Sequence, residues 1–429
     1  MTLGALLSDL EGRLPTVASI LLFRSLPFVA YLVCLVCAAR KLPWPRRLVL
    51  GLGAAIAIAI AFRADPRTRT LLQWAPVVGA YFVLGGVLVH RLAVWLPARA
   101  IKGGAVLALC AALFVVLPAA LVHHPFVVAW LILGWEVMLS AHSYCVDVSS
   151  SGERPSLADC LFFLLINPTF IYAERGAPLP RESAAPVGAL RVVLGAIAML
   201  GRDAALFVVG ALAFLTTSHL GDSGAVSYAR FVCTQLVLVL GLYCAHAGLA
   251  SIQIGWMRVL GHGVPERYRY PLFASGPQDF WLRWNVWVSR WAQRYIYVPV
   301  AHAIVRRRGG RVGPIIAVMA AFLGVGLLHD LGVYAFRLHD GDRGNPSLRL
   351  TLVFLLLGLV VVTWSEVARI AARLVRDATP RAASALGVVS RLVWINAVCA
   401  LAALALPVLR SGMFAPAIEA VLRRLAHLG

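Results

Sequence analysis

Apolar runs recur along almost the whole chain and are separated by short polar or basic segments. They lie at about 16–38, 48–62, 71–89, 104–122, 125–141, 158–172, 190–217, 230–256, 282–300, 313–336, 350–370 and 392–410. Most are long enough to cross a hydrocarbon core of ~30 Å as an α-helix, which takes about 20 residues. The pattern predicts an all-α, polytopic integral membrane protein of about 10–12 transmembrane helices.

Two of these runs depart from a plain membrane helix. The run at 158–172 is short and is interrupted by Asn167-Pro168, which predicts a kinked or re-entrant segment. The run at 190–217 is long and carries the charged pair Arg202-Asp203 near its middle. It is therefore either one tilted helix or two elements.

The remaining pattern favours a single membrane-embedded domain over 1–429, because the chain shows no internal repeat, linker or low-complexity segment. Residues 413–429 place Arg423, Arg424 and His427 among aliphatic side chains, which is typical of an interfacial helix. A cleavable signal peptide is not expected, because residues 1–15 lack a basic stretch ahead of the first apolar run.

Composition and charge agree with a membrane protein and argue against nucleic-acid binding. The chain is 61% hydrophobic and 14% charged, and its formal net charge is +20. Nearly all the cations are arginines that lie between apolar runs, where they indicate cytoplasmic loops and contacts with lipid headgroups. We therefore expect membrane lipids as partners and no nucleic acid. The heavy use of Arg, Ala and Gly indicates a GC-rich genome and, with it, a bacterial cytoplasmic membrane.

Ionisable side chains within apolar runs are costly and need a reason. The candidates are Glu136, Arg202, Asp203, His246, His329, Asp330 and Glu366. His329 stands out because Gly326 and Gly332 lie three residues to either side of it, on the same side of a helix. The two glycines leave space beside the imidazole, either for a closely packed helix or for a substrate. The chain shows no metal-ligand cluster and no nucleotide-binding loop, so no metal or cofactor is expected.

The segment from Asp279 to Tyr297 is predicted to form one amphipathic helix. Its aromatic face comprises Trp284, Trp287, Trp291 and Tyr295, and a second stripe comprises Arg283, Arg290 and Arg294. Asn285 and Ser289 lie together on the other flank of the aromatic face. Such a helix is either an interfacial belt of aromatic and arginine anchors, or a site whose arginines bind a phosphate-bearing donor while the amide faces a reaction chamber.

These residues resemble a known family. The run Asp279-Phe-Trp-Leu-Arg-Trp-Asn285, continued by Trp291 and Tyr295-Ile-Tyr-Val-Pro299, resembles the signature of the membrane-bound O-acyltransferases. Downstream, Leu327-Leu-His-Asp330 resembles the segment that carries their invariant histidine. The specific part of the resemblance covers roughly residues 265–335, and Asn167-Pro168-Thr169 is similar to an earlier segment of the family.

The resemblance implies a buried reaction chamber in which an acyl group moves from a thioester donor to a hydroxyl. The donor would be acyl-CoA or an acyl carrier protein, acting as co-substrate. His329 would be the general base, and Asn285 would orient the acceptor or donate to the developing oxyanion. We expect donor or substrate contacts from Arg283, Trp284, Ser289, Arg290, Arg294 and Asp330.

Two positions depart from the commonest family pattern. Family members that act on alginate or on D-alanylated cell-wall polymers usually have histidine where this chain has Asn285. Asparagine is typical of members that acylate sterols, glycerolipids or secreted proteins. The residue after the histidine is often glutamate, whereas this chain has Asp330.

Other functions remain open from the sequence. A transporter or flippase would use His329, Asp330 and the buried charges as a proton or substrate path, although the repeated halves common in transporters are missing. A relative that only binds acyl lipids would keep the same fold. The acceptor is a lipid, a polysaccharide, a secondary metabolite or a protein.

Overall fold

The fold is taken from a computed structural model. It describes residues 66–95, 103–121, 127–178, 186–195, 197–198, 243, 246–248, 250–308, 312–339, 348–374 and 394. The predicted membrane segments at 16–38 and 48–62, most of the run at 392–410 and the predicted interfacial helix at 413–429 lie outside these residues. So do most of the run at 190–217, including Arg202 and Asp203, and much of the run at 230–256.

The chain divides into two compact units, and the prediction of one domain over 1–429 stays a prediction. The first unit comprises 1–141 and 148–166. Its helices span Pro66–Trp95, Gly103–Ala111, Leu117–Leu121, Leu157–Leu165 and most of Val127–Ser151, with a π-helical turn at Ala112–Val116. The helix at Leu157–Leu165 begins at a capping box in which Ser156 and Asp159 bond each other's backbone N–H. It ends before Asn167-Pro168, as the interruption in the run at 158–172 indicates.

The second unit comprises 142–147 and 167–429. Its helices span Pro277–Arg283, Val286–Ala292, Val298–Arg308, Val312–His339 and Arg349–Leu374, with helical residues also at 186–195, 246–248 and 250–259. A π-helical turn covers Gln293–Tyr297, and short 3-10 turns cover Tyr172–Glu174 and Pro271–Phe273. A two-stranded antiparallel pairing joins Ala177–Pro178 to His262–Gly263.

The described residues are almost entirely helical, which confirms the predicted all-α membrane protein. Three helical stretches among them are long and apolar enough to cross a membrane: Gly103–Ala120, Val312–Ala335 and Arg349–Ile370. They coincide with the apolar runs predicted at 104–122, 313–336 and 350–370. The total of 10–12 helices stays a prediction, because several runs fall outside the described residues.

The prediction of one helix from Asp279 to Tyr297 is wrong. The helix that starts at Pro277 ends at Arg283, and a new helix starts at Val286. Between them Asn285 adopts a left-handed conformation with φ of 41° and ψ of 61°. Asparagine tolerates this conformation better than most residues. The run at 282–300 is therefore several short helical pieces.

Two long helices of the second unit pack closely together. We call Val312–His339 the histidine helix and Arg349–Leu374 the capped helix. A Cβ atom at Gly326 of the histidine helix would lie 2.7 Å from Cα of Thr351 in the capped helix. Only glycine permits this approach, which is how small residues bring membrane helices together. At Gly332, by contrast, a Cβ atom would meet no other described residue within 4 Å.

The two glycines give a matched test of this packing. Gly326→Ala should destabilise the protein by about 1–3 kcal/mol, because the added methyl group forces the two helices apart. Gly332→Ala should leave stability unchanged or raise it slightly, because space is available and alanine favours the helix. Thermal unfolding of the detergent-solubilised protein measures both. Equal melting temperatures for the two variants would contradict the close approach at Gly326.

Candidate active site

The imidazole of His329 has its tautomer set by the backbone of its own helix. Its Nδ1 lies 2.8 Å from the carbonyl oxygen of Val325. A carbonyl oxygen only accepts, so Nδ1 must carry the hydrogen in this bond. In the neutral ring Nε2 then holds the basic lone pair. The ring packs on Phe354 of the capped helix, with 4.6 Å between ring centroids.

The next residue, Asp330, caps the neighbouring helix. Its side chain is only 4% exposed. Oδ1 accepts from the backbone N–H of Leu350 at 3.0 Å. Oδ2 accepts from the N–H of Thr351 at 2.8 Å and from its hydroxyl at 2.6 Å. These donors belong to the first turn of the capped helix, whose N–H groups have no partner within that helix. Asp330 therefore joins the two helices. The predicted contact of Asp330 with the acyl donor or the substrate stays a prediction.

The Asn285 side chain is held by a segment from an earlier loop, Pro265–Arg269, which we call the strap. Nε of Arg267 donates to Oδ1 of Asn285 at 3.2 Å. The backbone N–H of Val286 donates to the carbonyl oxygen of Arg267 at 2.7 Å, and that of Arg269 to Arg283 at 2.9 Å. The strap thus satisfies backbone groups on both sides of the helix break.

Aromatic contacts link the helix break to the histidine helix and the capped helix. Trp281, four residues before Asn285, lies 5.5 Å from Phe322 of the histidine helix and 6.1 Å from Phe354 of the capped helix, between ring centroids. Phe354 in turn contacts His329. The two predicted catalytic residues therefore lie on elements that share one aromatic cluster.

Ser289 and Trp284 have structural contacts on either side of the break. The Ser289 hydroxyl donates to the carbonyl oxygen of Trp281 at 2.7 Å, which satisfies a free end of the preceding helix. Trp284 stacks on Phe280 at 5.5 Å and meets Tyr268 edge-on at 5.3 Å. The predicted aromatic face is thereby divided, because Trp287 and Trp291 are buried elsewhere in the second unit.

Each arginine of the predicted cationic stripe pairs with a carboxylate of the protein. Nε of Arg283 lies 2.6 Å from Oδ1 of Asp279, and Nη1 of Arg290 lies 2.5 Å from Oε2 of Glu174. Nη2 of Arg294 lies 3.1 Å from Oδ1 of Asp147. All three side chains are at least one-third exposed. Phosphate binding by these arginines stays a prediction, and a phosphate would have to compete with these carboxylates.

Asp279 shows the electrostatic effect of one such pair. Burial alone would raise the pKa of its carboxyl group. Hydrogen bonds from Arg283 and from the backbone and hydroxyl of Ser275 outweigh burial and hold the pKa below its ordinary value. The carboxylate therefore stays ionised beside Arg283.

The structure brings in residues that sequence reasoning missed. Asp147, only 7% exposed, accepts from Arg294, from the Tyr295 hydroxyl at 2.8 Å and from the Ala173 N–H at 3.0 Å. The buried ring of His142 meets Trp291 at 5.2 Å and Tyr295 at 5.1 Å. Arg267 was also missed, because nothing in its local sequence distinguishes it from its neighbours Arg258 and Arg269. An acid and a histidine at the end of an apolar run, Asp147 and His142, were the available signal.

Two of the other ionisable candidates, Glu366 and Glu136, have local contacts. Glu366 pairs with Arg369 one turn along the capped helix. The backbone carbonyl oxygen of Glu136 accepts from the Ser140 hydroxyl at 3.2 Å. Within the described part of the chain, no three His, Cys, Asp or Glu side chains are grouped so as to hold a metal ion.

His329 and Asn285 thus lie on elements that contact one aromatic cluster in a helical membrane protein. Residues 113–339, more than half of the chain, match the model of the MBOAT, membrane-bound O-acyltransferase family. The chain belongs to this family, and the resemblance found in the signature is confirmed.

Curated relatives come from plants and bacteria. A probable long-chain-alcohol O-fatty-acyltransferase 1 of Arabidopsis thaliana is 30% identical over 139 residues, which cover 31% of this chain and 39% of the relative. A peptidoglycan O-acetyltransferase of Helicobacter pylori is 28% identical over 124 residues, covering 27% and 22%. A probable alginate O-acetylase of Pseudomonas syringae pv. tomato is 27% identical over 92 residues, covering 21% and 17%. The chain spans less than half the length of these relatives.

The cap formed by Asp330 can be tested by substitution. Asp330→Ala should lower stability by about 1–3 kcal/mol, because it leaves buried N–H groups of the capped helix without an acceptor. Asp330→Asn should cost less, because its amide oxygen still accepts. Glu366→Ala is the control, because it removes only the exposed ion pair with Arg369, and such a pair contributes about 0.2–1 kcal/mol. Thermal unfolding measures all three variants, and an Asp330→Ala loss no larger than that of Glu366→Ala would argue against the cap.

Proposed function

We propose that this protein is an O-acyltransferase of the membrane, which moves an acyl group from a thioester donor to a hydroxyl acceptor. The observation that carries the proposal is the fixed tautomer of His329, whose Nδ1 is bonded to the Val325 carbonyl oxygen and whose Nε2 is therefore the basic atom. Family membership and the names of the relatives support the reaction class.

The proposed reaction proceeds through a tetrahedral intermediate. Nε2 of His329 takes the proton of the acceptor hydroxyl, and the acceptor oxygen attacks the thioester carbonyl carbon. The carbonyl oxygen becomes an oxyanion, to which Nδ2 of Asn285 donates a hydrogen bond. Collapse of the intermediate breaks the carbon–sulfur bond, and the departing thiolate takes the proton from the imidazolium. The products are an ester and a free thiol.

The donor is an acyl-CoA or an acyl carrier protein, and the acceptor is a lipid, polysaccharide or metabolite hydroxyl. The relatives' names include both a long-chain alcohol and polysaccharides as acceptors. Asn285 weighs against a polysaccharide acceptor, because asparagine at this position is typical of family members that acylate sterols, glycerolipids or secreted proteins.

The central test follows thioester consumption in proteoliposomes. Labelled acetyl-CoA, palmitoyl-CoA or the matching acyl carrier protein is supplied with hexadecanol or with an alginate oligosaccharide. The parent should release thiol and form labelled ester. His329→Ala should lower turnover by roughly 10²–10⁴-fold, the usual contribution of a general base. Turnover of the folded His329→Ala protein at the parent rate would rule out the general-base role.

Asn285→Gly removes the side-chain amide and leaves the backbone conformation at this position unstrained. Glycine adopts the left-handed conformation without strain, so the helix break should persist. Turnover should fall by roughly 10²–10³-fold, the usual effect of removing one donor to an oxyanion. Asn285→Ala is the comparison, because it adds backbone strain to the same loss. A lower melting temperature for Asn285→Ala than for Asn285→Gly separates the two effects.

The predicted donor-binding role of the arginines is tested at the pair Arg290 and Glu174. Glu174→Gln releases Arg290 from its carboxylate, so the KM for acyl-CoA should fall if Arg290 binds phosphate. Adding Arg290→Gln leaves two neutral side chains and should raise that KM roughly tenfold, about the value of one hydrogen bond to a charged group. An unchanged donor KM in both variants would make this ion pair structural only.

A further inference from the structure

Arg267 is buried at the centre of the strap. Its side chain is only 7% exposed. The guanidinium carbon lies 5.0 Å from the ring centroid of Trp287 and 5.6 Å from that of Phe170, both cation–π distances. The two rings meet edge-on at 6.0 Å, and Nε1 of Trp287 donates to the strap at the Pro265 carbonyl oxygen, at 3.0 Å. The two aromatic rings therefore fix the position of the guanidinium that bonds Asn285.

The bond from Arg267 sets the orientation of the Asn285 amide. A guanidinium has donors and no acceptor, so its partner at 3.2 Å must be the amide oxygen and not the amide nitrogen. Without such a partner the terminal amide of an asparagine can rotate about χ2, which exchanges the positions of its oxygen and nitrogen. With it, Nδ2 is the end directed away from Arg267, and Nδ2 has no hydrogen-bond partner among the described residues.

The charge of Arg267 also acts on the strength of this donor. A cation bonded to the amide oxygen draws electron density from the amide, so the N–H groups on Nδ2 become more positive. In a buried setting this effect is larger than in water. An amide so polarised is a better donor to a developing negative charge than one bonded to a neutral group.

We infer that Arg267 is a positioning residue, which orients and polarises the Asn285 amide so that Nδ2 donates to the oxyanion. This inference rests on the proposed function. It assigns Arg267 an action through Asn285 and no contact with the substrate. Its effect should therefore fall on kcat and leave the KM of the donor within about twofold.

The test is a double-mutant cycle of Arg267 and Asn285 in the thioester assay. Arg267→Met removes the charge and the donor while its chain still fills the space between the two rings. It should lower kcat by an amount similar to Asn285→Gly, roughly 10²–10³-fold. In the Asn285→Gly background the same change should produce no further loss, because the amide on which it acts is absent. The control is Arg306→Met, which removes one exposed arginine elsewhere and should keep the parent kcat.

Each outcome distinguishes the inference from the proposed function. Independent, multiplicative losses in the double variant, or a parent kcat for Arg267→Met, would overturn the positioning role while Asn285→Gly still supports acyl transfer. Parent activity of Asn285→Gly would overturn the role of Asn285 and this inference together.

Arg267→Lys covers the case in which the methionine variant does not insert into membranes. It keeps the charge and an N–H donor but not the rigid guanidinium, so its kcat should lie between those of the parent and Asn285→Gly. In the Asn285→Gly background it should cause no further loss, and a further loss there would overturn the inference.

Discussion

The pairing between the strap and the helix break is the constraint on which the candidate site depends. One helix ends at Arg283 and the next begins at Val286. The first leaves backbone carbonyl groups without partners in its own helix, and the second leaves N–H groups. In a membrane protein such groups must find partners within the protein. The strap supplies them through Arg267 and Arg269, and Ser289 supplies another across the break. Without the strap the left-handed Asn285 would have little to hold it, and a continuous helix would be the favoured alternative.

The second half of the candidate site depends on the joint between the histidine helix and the capped helix. Asp330 bonds the first turn of the capped helix, which fixes that helix along its axis and in rotation. Phe354 lies one turn beyond Thr351, on the same face, and is therefore placed against His329. Asp330 thus determines how His329 packs, because it positions the helix that carries Phe354.

The sequence was sufficient for the all-α membrane class, the family signature and the choice of His329 and Asn285 as candidates. The sequence did not predict the helix break, because side chains from Asp279 to Tyr297 follow helical spacing throughout and such spacing predicts one continuous helix. The left-handed Asn285 depends instead on Arg267, 18 residues earlier, and no local pattern reports that contact. The arginine stripe failed to predict the ion pairs of Arg290 and Arg294 for the same reason, because Glu174 and Asp147 are more than 100 residues away in the chain.

The departure from the family's frequent glutamate at Asp330 follows from the close helix packing. Gly326 and Asp330 are four residues apart and share one face of the histidine helix. Both meet Thr351, Gly326 through the close backbone approach and Asp330 through two hydrogen bonds. At this separation an aspartate already reaches the capped helix with bonds of 2.6–3.0 Å. A glutamate, longer by one methylene group, would have to fold back or push the helices apart, so the short carboxylate and the glycine belong to one packing arrangement.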